Sequence, residues 1–346
     1  DATSVSNLSA IMDQIKKLSE NERKKIVSLL ISSHDTEANT SLSFTEERFS
    51  NGFFCPHCGC VENIVKFGKS PKGEQRFKCK NCGKTFIAKT NTIFCGSHKS
   101  FDLWMKFLEC MVDQFSIRKT AVICDINTHT AFVWRHKVLD AIASYNESKK
   151  LKGVIEADET FFRVSYKGSR NLPEGRKAKK RGTPAEQNGL SREQVCVECA
   201  IDRNGNKVSE IVSLGPADTE TLHEVLDDKI IRGAIFCTDG FRTYGLYAED
   251  NFGYIKHVVV NEEKRKNGIY HINHVNAYHS FIKLFVGKFR GVSTKYLQNY
   301  LEWCNTAYGV SGEDMKKLNI VKPAVRSSFA KKWEEIGDRP SLPVAA

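Results

Sequence analysis

Residues 153–162 read Gly-Val-Ile-Glu-Ala-Asp-Glu-Thr-Phe-Phe, a short strand that carries acids. The two-residue period of a strand puts Glu156 and Asp158 on one face. Downstream, 194–202 and 207–214 read as two strands joined at Asn204-Gly205, a two-residue hairpin signal. Asp218 opens a helix whose apolar stripe is Leu222, Val225 and Leu226. Ala234-Ile-Phe-Cys-Thr-Asp239-Gly is then a buried strand with a carboxylate at its exposed tip. A fifth strand is expected over 254–260, and the next helix starts near His271. This order makes a mixed sheet flanked by helices, in which the first and fourth strands lie side by side and bring Asp158 to Asp239. Two acidic tips repel, and a shared divalent ion is the physical reason to tolerate them. Magnesium or manganese held by such a pair can activate an attacking oxygen and stabilise a leaving one in phosphoryl transfer. The bland alternative makes each aspartate a helix cap or hairpin residue, and for Asp202 and Asp218 it is the preferred reading.

Upstream lies the strongest local signal. Cys55-Pro-His-Cys58-Gly is followed, with 20 residues between Cys58 and Cys79, by Cys79-Lys-Asn-Cys82-Gly. Each pair makes a tight knuckle, with Gly59 and Gly83 allowing the sharp backbone, and two knuckles close one tetrahedral thiolate site for a structural Zn2+. His57 sits beside a ligand position, but four cysteines already complete the site. Cys60, Cys95, Cys110, Cys124, Cys237 and Cys304 are expected to be packed or idle thiols. Cys196 and Cys199 lie in a strand, where residues three apart face opposite ways, so no second knuckle is expected. Around the knuckles Lys66, Lys69, Lys72, Arg76, Lys78 and Lys84 alternate with Phe67, Phe77 and Phe86. That alternation suits a small sheet with one packed face and one cationic, DNA-contacting face.

Residues 101–143 read as three helices. Phe101, Trp104, Phe107, Leu108 and Met111 line the first, Ser116 caps the second, and Ala131, Trp134, Val138 and Ile142 of the third point inward. Thr128, His129, Arg135, His136 and Lys137 are left partly outward, which suits a helix-turn-helix reader of the major groove, although any three-helix bundle has this periodicity. The first 32 residues read as two amphipathic helices, with Ser19 and Glu22 as a capping box between them, and a Ser-, Thr- and Glu-rich linker follows. Such a hairpin has too little surface to fold alone and reads either as a docking or dimerisation element or as an inert scaffold helix.

The chain has 346 residues, 40% hydrophobic and 27% charged, and these proportions rule out disordered and fibrous classes. No apolar run is long enough to span a membrane, and the amino end lacks a secretory pattern. Net charge is +11, and it is concentrated: residues 51–150 alone carry 16 basic and 8 acidic groups. A polyanion such as nucleic acid is the expected partner. The glycine-containing stretch 167–182, with Arg176, Lys177, Lys179, Lys180 and Arg181, reads as an exposed loop suited to a phosphate backbone. Twelve cysteines without a secretory signal argue for metal or buried thiols rather than disulfides.

Taken together, Cys55-Pro-His-Cys with Cys79-Lys-Asn-Cys, Ala157-Asp-Glu-Thr-Phe-Phe, Thr238-Asp-Gly and His271-Ile-Asn273-His-Val-Asn276-Ala-Tyr-His-Ser-Phe-Ile-Lys283 resemble the bacterial insertion-sequence transposases of the DDE type, closest to the zinc-ribbon group of insertion-sequence family 1595. The resemblance covers residues 50 to about 305. It implies a multidomain α+β protein: N-terminal helices and linker (1–48), zinc ribbon (50–92), helix-turn-helix bundle (98–150), an RNase H-like mixed α/β catalytic core (151–305) with a basic loop (165–193), and a tail (306–346). It implies that Asp158, Asp239 and Asn276 hold two Mg2+ or Mn2+, that Lys283 holds a phosphate, that Asn273 orients the site, and that His271 and His279 touch substrate or support it. Asn276 stands where the DDE pattern has glutamate. It brings a carbonyl oxygen without charge, and Glu156 is a spare carboxylate on the same strand face. The activity implied is cleavage and joining of DNA at terminal inverted repeats, by a homodimer or higher oligomer in the bacterial cytoplasm, at the nucleoid. The rival reading is a transposase-derived DNA-binding protein or regulator that has lost catalysis.

Overall fold

The structure, a computed structural model, describes residues 44–169, 172, 191–260, 267–310, 320–328 and 331–341. The expected helical hairpin at the amino end and Arg176, Lys177, Lys179, Lys180 and Arg181 lie outside the described residues. Residues up to Thr90 and from Asn91 onward form two compact units, taken in turn.

The first unit is a three-stranded antiparallel sheet, β1 (Ile64–Lys69), β2 (Gln75–Cys79) and β3 (Thr85–Phe86). Its core is small: Phe77 pairs with Phe86 across the strands, and Phe53 and Phe49 cover them. Gly59 and Gly83 follow their knuckles at φ +73° and +71°, the left-handed turn that glycine adopts without steric cost. Phe67 departs from the expected pattern. It is 45% exposed on the cationic face, with the charged ends of Lys78 and Arg76 5.3 and 5.7 Å from its ring.

In the second unit, α1 (Phe101–Val112), α2 (Ile117–Ile123) and α3 (Thr128–Asn146) precede a five-stranded sheet. Ser116 caps α2 as expected, and Ser100 and Asn127 cap α1 and α3: each side chain accepts a first-turn backbone N–H. The sheet strands are β4 (Val154–Arg163), β5 (Gln194–Asp202), β6 (Lys207–Leu214), β7 (Ile235–Thr238) and β8 (Lys256–Val259), in the order β6-β5-β4-β7-β8. β4, β5 and β6 are antiparallel, and β4, β7 and β8 are parallel. The first and fourth strands are therefore neighbours. Helices α4 (Thr219–Leu226) and α5 (Arg242–Asp250) share one core with the sheet, through Ile155, Ala157, Cys196, Ala200, Leu222, Leu226, Phe236, Tyr244 and Tyr247. Helices α6 (Asn273–Lys288) and α7 (Thr294–Ala307) pack on the same sheet, with Tyr278 Oη and Ser209 Oγ of β6 2.7 Å apart.

Three readings need correction. Helix α5 was not expected, yet parallel neighbours β7 and β8 cannot be joined without a crossover, and α5 is that crossover. The β5–β6 connection is not a two-residue turn: four residues join the expected strand ends, closed by the Gly205 N–H to the Asp202 carbonyl (3.0 Å), with Asp202 Oδ1 accepting the backbone N–H of Asn204 (2.8 Å) and Asn206 (2.9 Å). Arg135 and His136 do not face outward: they are 1% and 0% exposed. Helix α3 is covered by α2, α7 and the short helices α8 (Lys322–Arg326) and α9 (Trp333–Gly337), so almost its whole circumference is core. The Arg135 guanidinium donates to the Phe115 carbonyl at 2.5 Å and lies 5.5 and 5.4 Å from the Phe289 and Trp303 rings. It is a packing residue, and its assignment to DNA contact fails.

The carboxyl-terminal segment, for which the sequence suggested no role, straps the helices. Arg339 grips Asp140 of α3 through both carboxylate oxygens, at 2.7 and 2.8 Å, and Ile336 is fully buried.

Candidate active site

The β4–β7 register pairs Glu156 with Cys237. Two residues further along each strand, Asp158 and Asp239 stand level, at the point where β7 ends and β4 runs on. Neighbouring strands are about 4.8 Å apart, so the two carboxylates feel each other directly. Burial first, and the Asp239 charge second, push Asp158 up to about 6, against the pull of the Glu159 backbone N–H and of Lys283. Asp239 is fixed locally, its Oδ1 accepting the Phe241 N–H at 2.9 Å.

Helix α6 lies across this pair. Burial and the Lys283 charge drive His279 down to about 4, so its ring is neutral; Nδ1 lies 3.7 Å from Asp158 Oδ2, and Nε2 is buried without a hydrogen-bond partner. Asn276 sits one turn before His279 and Ser280, and two turns before Lys283, so helical spacing carries it onto the same face with its side chain exposed. Asn273 begins the helix at the edge of that face.

The start of α6 is held by another strand. Ile272, the N-cap residue, offers no capping side chain, and the orphan backbone N–H groups of His274 and Val275 are taken by Glu156 Oε2 at 2.7 and 3.3 Å. Glu156 Oε1 receives His274 Nδ1 at 2.6 Å and Arg203 at 2.9 Å, with His271 Nδ1 at 3.3 Å. Glu156 is therefore no spare carboxylate. It is fully buried and saturated, and it docks α6 two residues away from Asp158. Glu156, His271 and His274 do bring three ligand atoms within 4.8 Å of one another. However, the Arg203 guanidinium and the positive end of α6 already neutralise that carboxylate, which disfavours a cation there. His271 stands in this clamp, at the edge of the acidic pair.

Two acids escaped the sequence reading. Glu159 is raised to about 7 by burial and by Asp158 and Asp239, and it accepts the Ala217 N–H at 3.2 Å. Across the strands it faces Glu198, which is fully buried, receives Tyr244 Oη at 2.8 Å and is held well above the usual carboxylate range by burial. No local pattern sets the β4–β5 register, so this pairing could not be seen in the sequence.

In the ribbon unit the four sulfurs of Cys55, Cys58, Cys79 and Cys82 lie within 4.8 Å of one another, the closed set a structural zinc requires. Cys60 stands outside, its Sγ accepting the Asn81 amide. Lys66, Lys69, Lys72 and Lys84 are exposed, while Arg76 and Lys78 are half-buried against Phe67.

Asp158 and Asp239 gather no third ligand of the His, Cys, Asp or Glu type within the spacing of one ion among the described residues. That donor set fits a hard cation bound through one or two carboxylates, with water and substrate phosphates completing its shell, as Mg2+ prefers.

Comparison with known proteins agrees with this geometry. Residues 150–304, spanning both aspartates and α6, match the ISXO2-like transposase domain, and residues 35–85 match the transposase zinc-ribbon domain. The chain thus resembles the transposases of insertion-sequence family 1595 in both of its matched domains. A relative from Halobacterium salinarum, described as an uncharacterized protein in transposable element ISH50, is 27% identical over 256 residues, 73% of this chain and 84% of its own. Among solved structures, the Mos1 transposase paired-end complex with left transposon end is 11% identical over 66% of this chain and 78% of that one, at a TM-score of 0.25. The Mos1 strand transfer complex is 10% identical over 69% and 82%, at 0.24. Likeness that distant carries no argument. No described helix is long and apolar enough to cross a membrane.

Proposed function

We propose that the chain is a DNA transposase: the zinc ribbon and the α1–α3 helices engage the terminal inverted repeats of an insertion sequence, and the core, of RNase H-like type, cuts and joins DNA strands. The observation that carries this reading is the level pair Asp158 and Asp239 beneath the α6 face bearing Asn276, His279 and Lys283, inside the matched transposase domain. Asp158 and Asp239, with the Asn276 carbonyl, would hold two Mg2+ or Mn2+ ions, which supply polarisation of the scissile phosphate and a nucleophile at neutral pH. Lys283 balances the charge of the acidic pair and would grip a phosphate oxygen, with Asn273 beside it. Neutral His279 would brace Asp158, leaving its outward oxygen toward the substrate. Water is the first nucleophile, and the liberated 3′-hydroxyl then attacks target DNA. Two DNA ends require a homodimer or larger assembly. The basic stretch 167–182 and the exposed lysines of the ribbon would follow the phosphate backbone.

One observation favours a second reading, a DNA-binding protein with a decayed core: the third position is the uncharged, exposed Asn276. Cleavage and joining of labelled border DNA from the element, in Mn2+ or Mg2+, separates the two. A transposase cuts, and Asp158→Ala abolishes cutting while end binding persists. A decayed protein binds without cutting and gains activity only as Asn276→Asp.

A further inference from the structure

We infer that a shallow cleft beside Asp239 receives one unstacked nucleobase of the DNA next to the phosphate being cut, with Phe241 as its stacking partner. The inference rests on the transposase reading and adds a substrate contact to it. The cleft holds about 230 Å3 and is lined by Gly240, Phe241, Arg242, Gly245, Leu246 and Val259 among others. That is below the roughly 300 Å3 at which sites for whole small molecules begin, and a single flat ring system is the occupant of matching scale.

Four features select a base. The cleft adjoins Asp239: Gly240 and Phe241 of its lining follow that residue in the chain, and the Phe241 backbone N–H is bound to Asp239 Oδ1. Its lining joins exposed apolar groups, Phe241, Leu246 and Val259 at 38%, 39% and 44%, to the polar side chains of Glu249 and His257, which can meet the polar edge of a base. Arg242 opens α5 at the rim, where the helix start has no capping side chain, so a phosphate attached to the base meets positive potential. Finally, Gly245 stands in the middle of α5, where glycine costs about 1 kcal/mol relative to alanine. An added Cβ there would touch nothing within 4 Å, so no tight packing demands the glycine, and its absent side chain leaves the cleft open. Aromatic stacking tolerates any base, because every base has a π-face.

The test uses the full chain and border duplex from the element, with 2-aminopurine placed in turn at each position flanking the cut and Ca2+ replacing the catalytic ion so that the duplex stays intact. Binding should raise 2-aminopurine emission several-fold at one flanking position. Phe241→Ala should abolish the rise and weaken end binding roughly 5- to 150-fold, the equivalent of one lost stacked base. Gly245→Leu should abolish it as well, by filling the cleft, while helix propensity rises and the melting temperature does not fall. Cutting by the intact protein with silent emission at every flanking position overturns the inference alone, as does unchanged emission in Gly245→Leu. Failure of the intact chain to bind or cut border DNA in Mn2+ overturns the transposase reading and this inference with it.

Discussion

Glu156→Ala is the most informative single change, because it attacks the joint between strand and helix without touching a residue assigned to cation or phosphate. The lost carboxylate accepts two backbone N–H groups of α6 and two charged or ring donors, Arg203 and His274. Loss of a helix cap costs about 0.5–2 kcal/mol. Breaking a buried ion pair costs about 3–5 kcal/mol, but Arg203 and His274 keep 32% and 51% side-chain exposure and regain water, so only part of that applies. A destabilisation of about 3 kcal/mol follows, or roughly 6–12 °C in melting temperature for a unit of this size. Glu156→Gln keeps shape and one acceptor oxygen and should lose about half as much. Tryptophan fluorescence is the right assay, because all four tryptophans lie in the second unit and Trp303 packs on Phe285 of α6 and on Phe289 at its C-cap. A shift below about 1 °C for alanine, or equal shifts for alanine and glutamine, would refute the capping argument.

Other perturbations test the rest of the structure. Asp158 is raised to about 6 from an ordinary value near 3.8, so the native state binds a proton more tightly than the unfolded chain does, and the metal-free protein should lose stability as pH rises from about 4 to 6. Asp158→Asn should lessen that slope without abolishing it, because Glu159 and Glu198 are raised as well, and added Mn2+ should raise the melting temperature of the parent but not of the variant. Removing zinc with a chelator, or Cys58→Ser, should unfold the ribbon, whereas Cys60→Ser should leave one bound zinc per chain by elemental analysis. Arg135→Met should lower the melting temperature by several degrees, since it leaves the Phe115 carbonyl unpaired, with no specific loss of DNA affinity beyond that unfolding by anisotropy titration. Asp140→Ala should release the Arg339 strap and expose the carboxyl-terminal segment to trypsin at lower protease concentration.

Signals that live within a few residues were legible without the structure. The two Cys-x2-Cys knuckles with their glycines, the caps at Ser116 and Asp218, the hairpin strands and the strand carrying Asp158 depend on turn chemistry and period, which act locally. The adjacency of the first and fourth strands was also readable, because few topologies join such strands, and it brought Asp158 beside Asp239. Burial of charge was different. Arg135, His136 and Glu156 read as outward or spare groups because polarity and helical period report only one partner face, whereas α3 is enclosed by several helices and Glu156 is met by a helix more than a hundred residues away. The Glu159–Glu198 pairing depended on a register that no turn sets. What the sequence determined by itself was therefore chemistry and local geometry: a zinc site, a pair of acids and a basic surface. Only the tertiary structure decided which charges are exposed, which helix each acid holds, and where the cleft opens beside Asp239, because those outcomes follow from the packing of distant elements against one another.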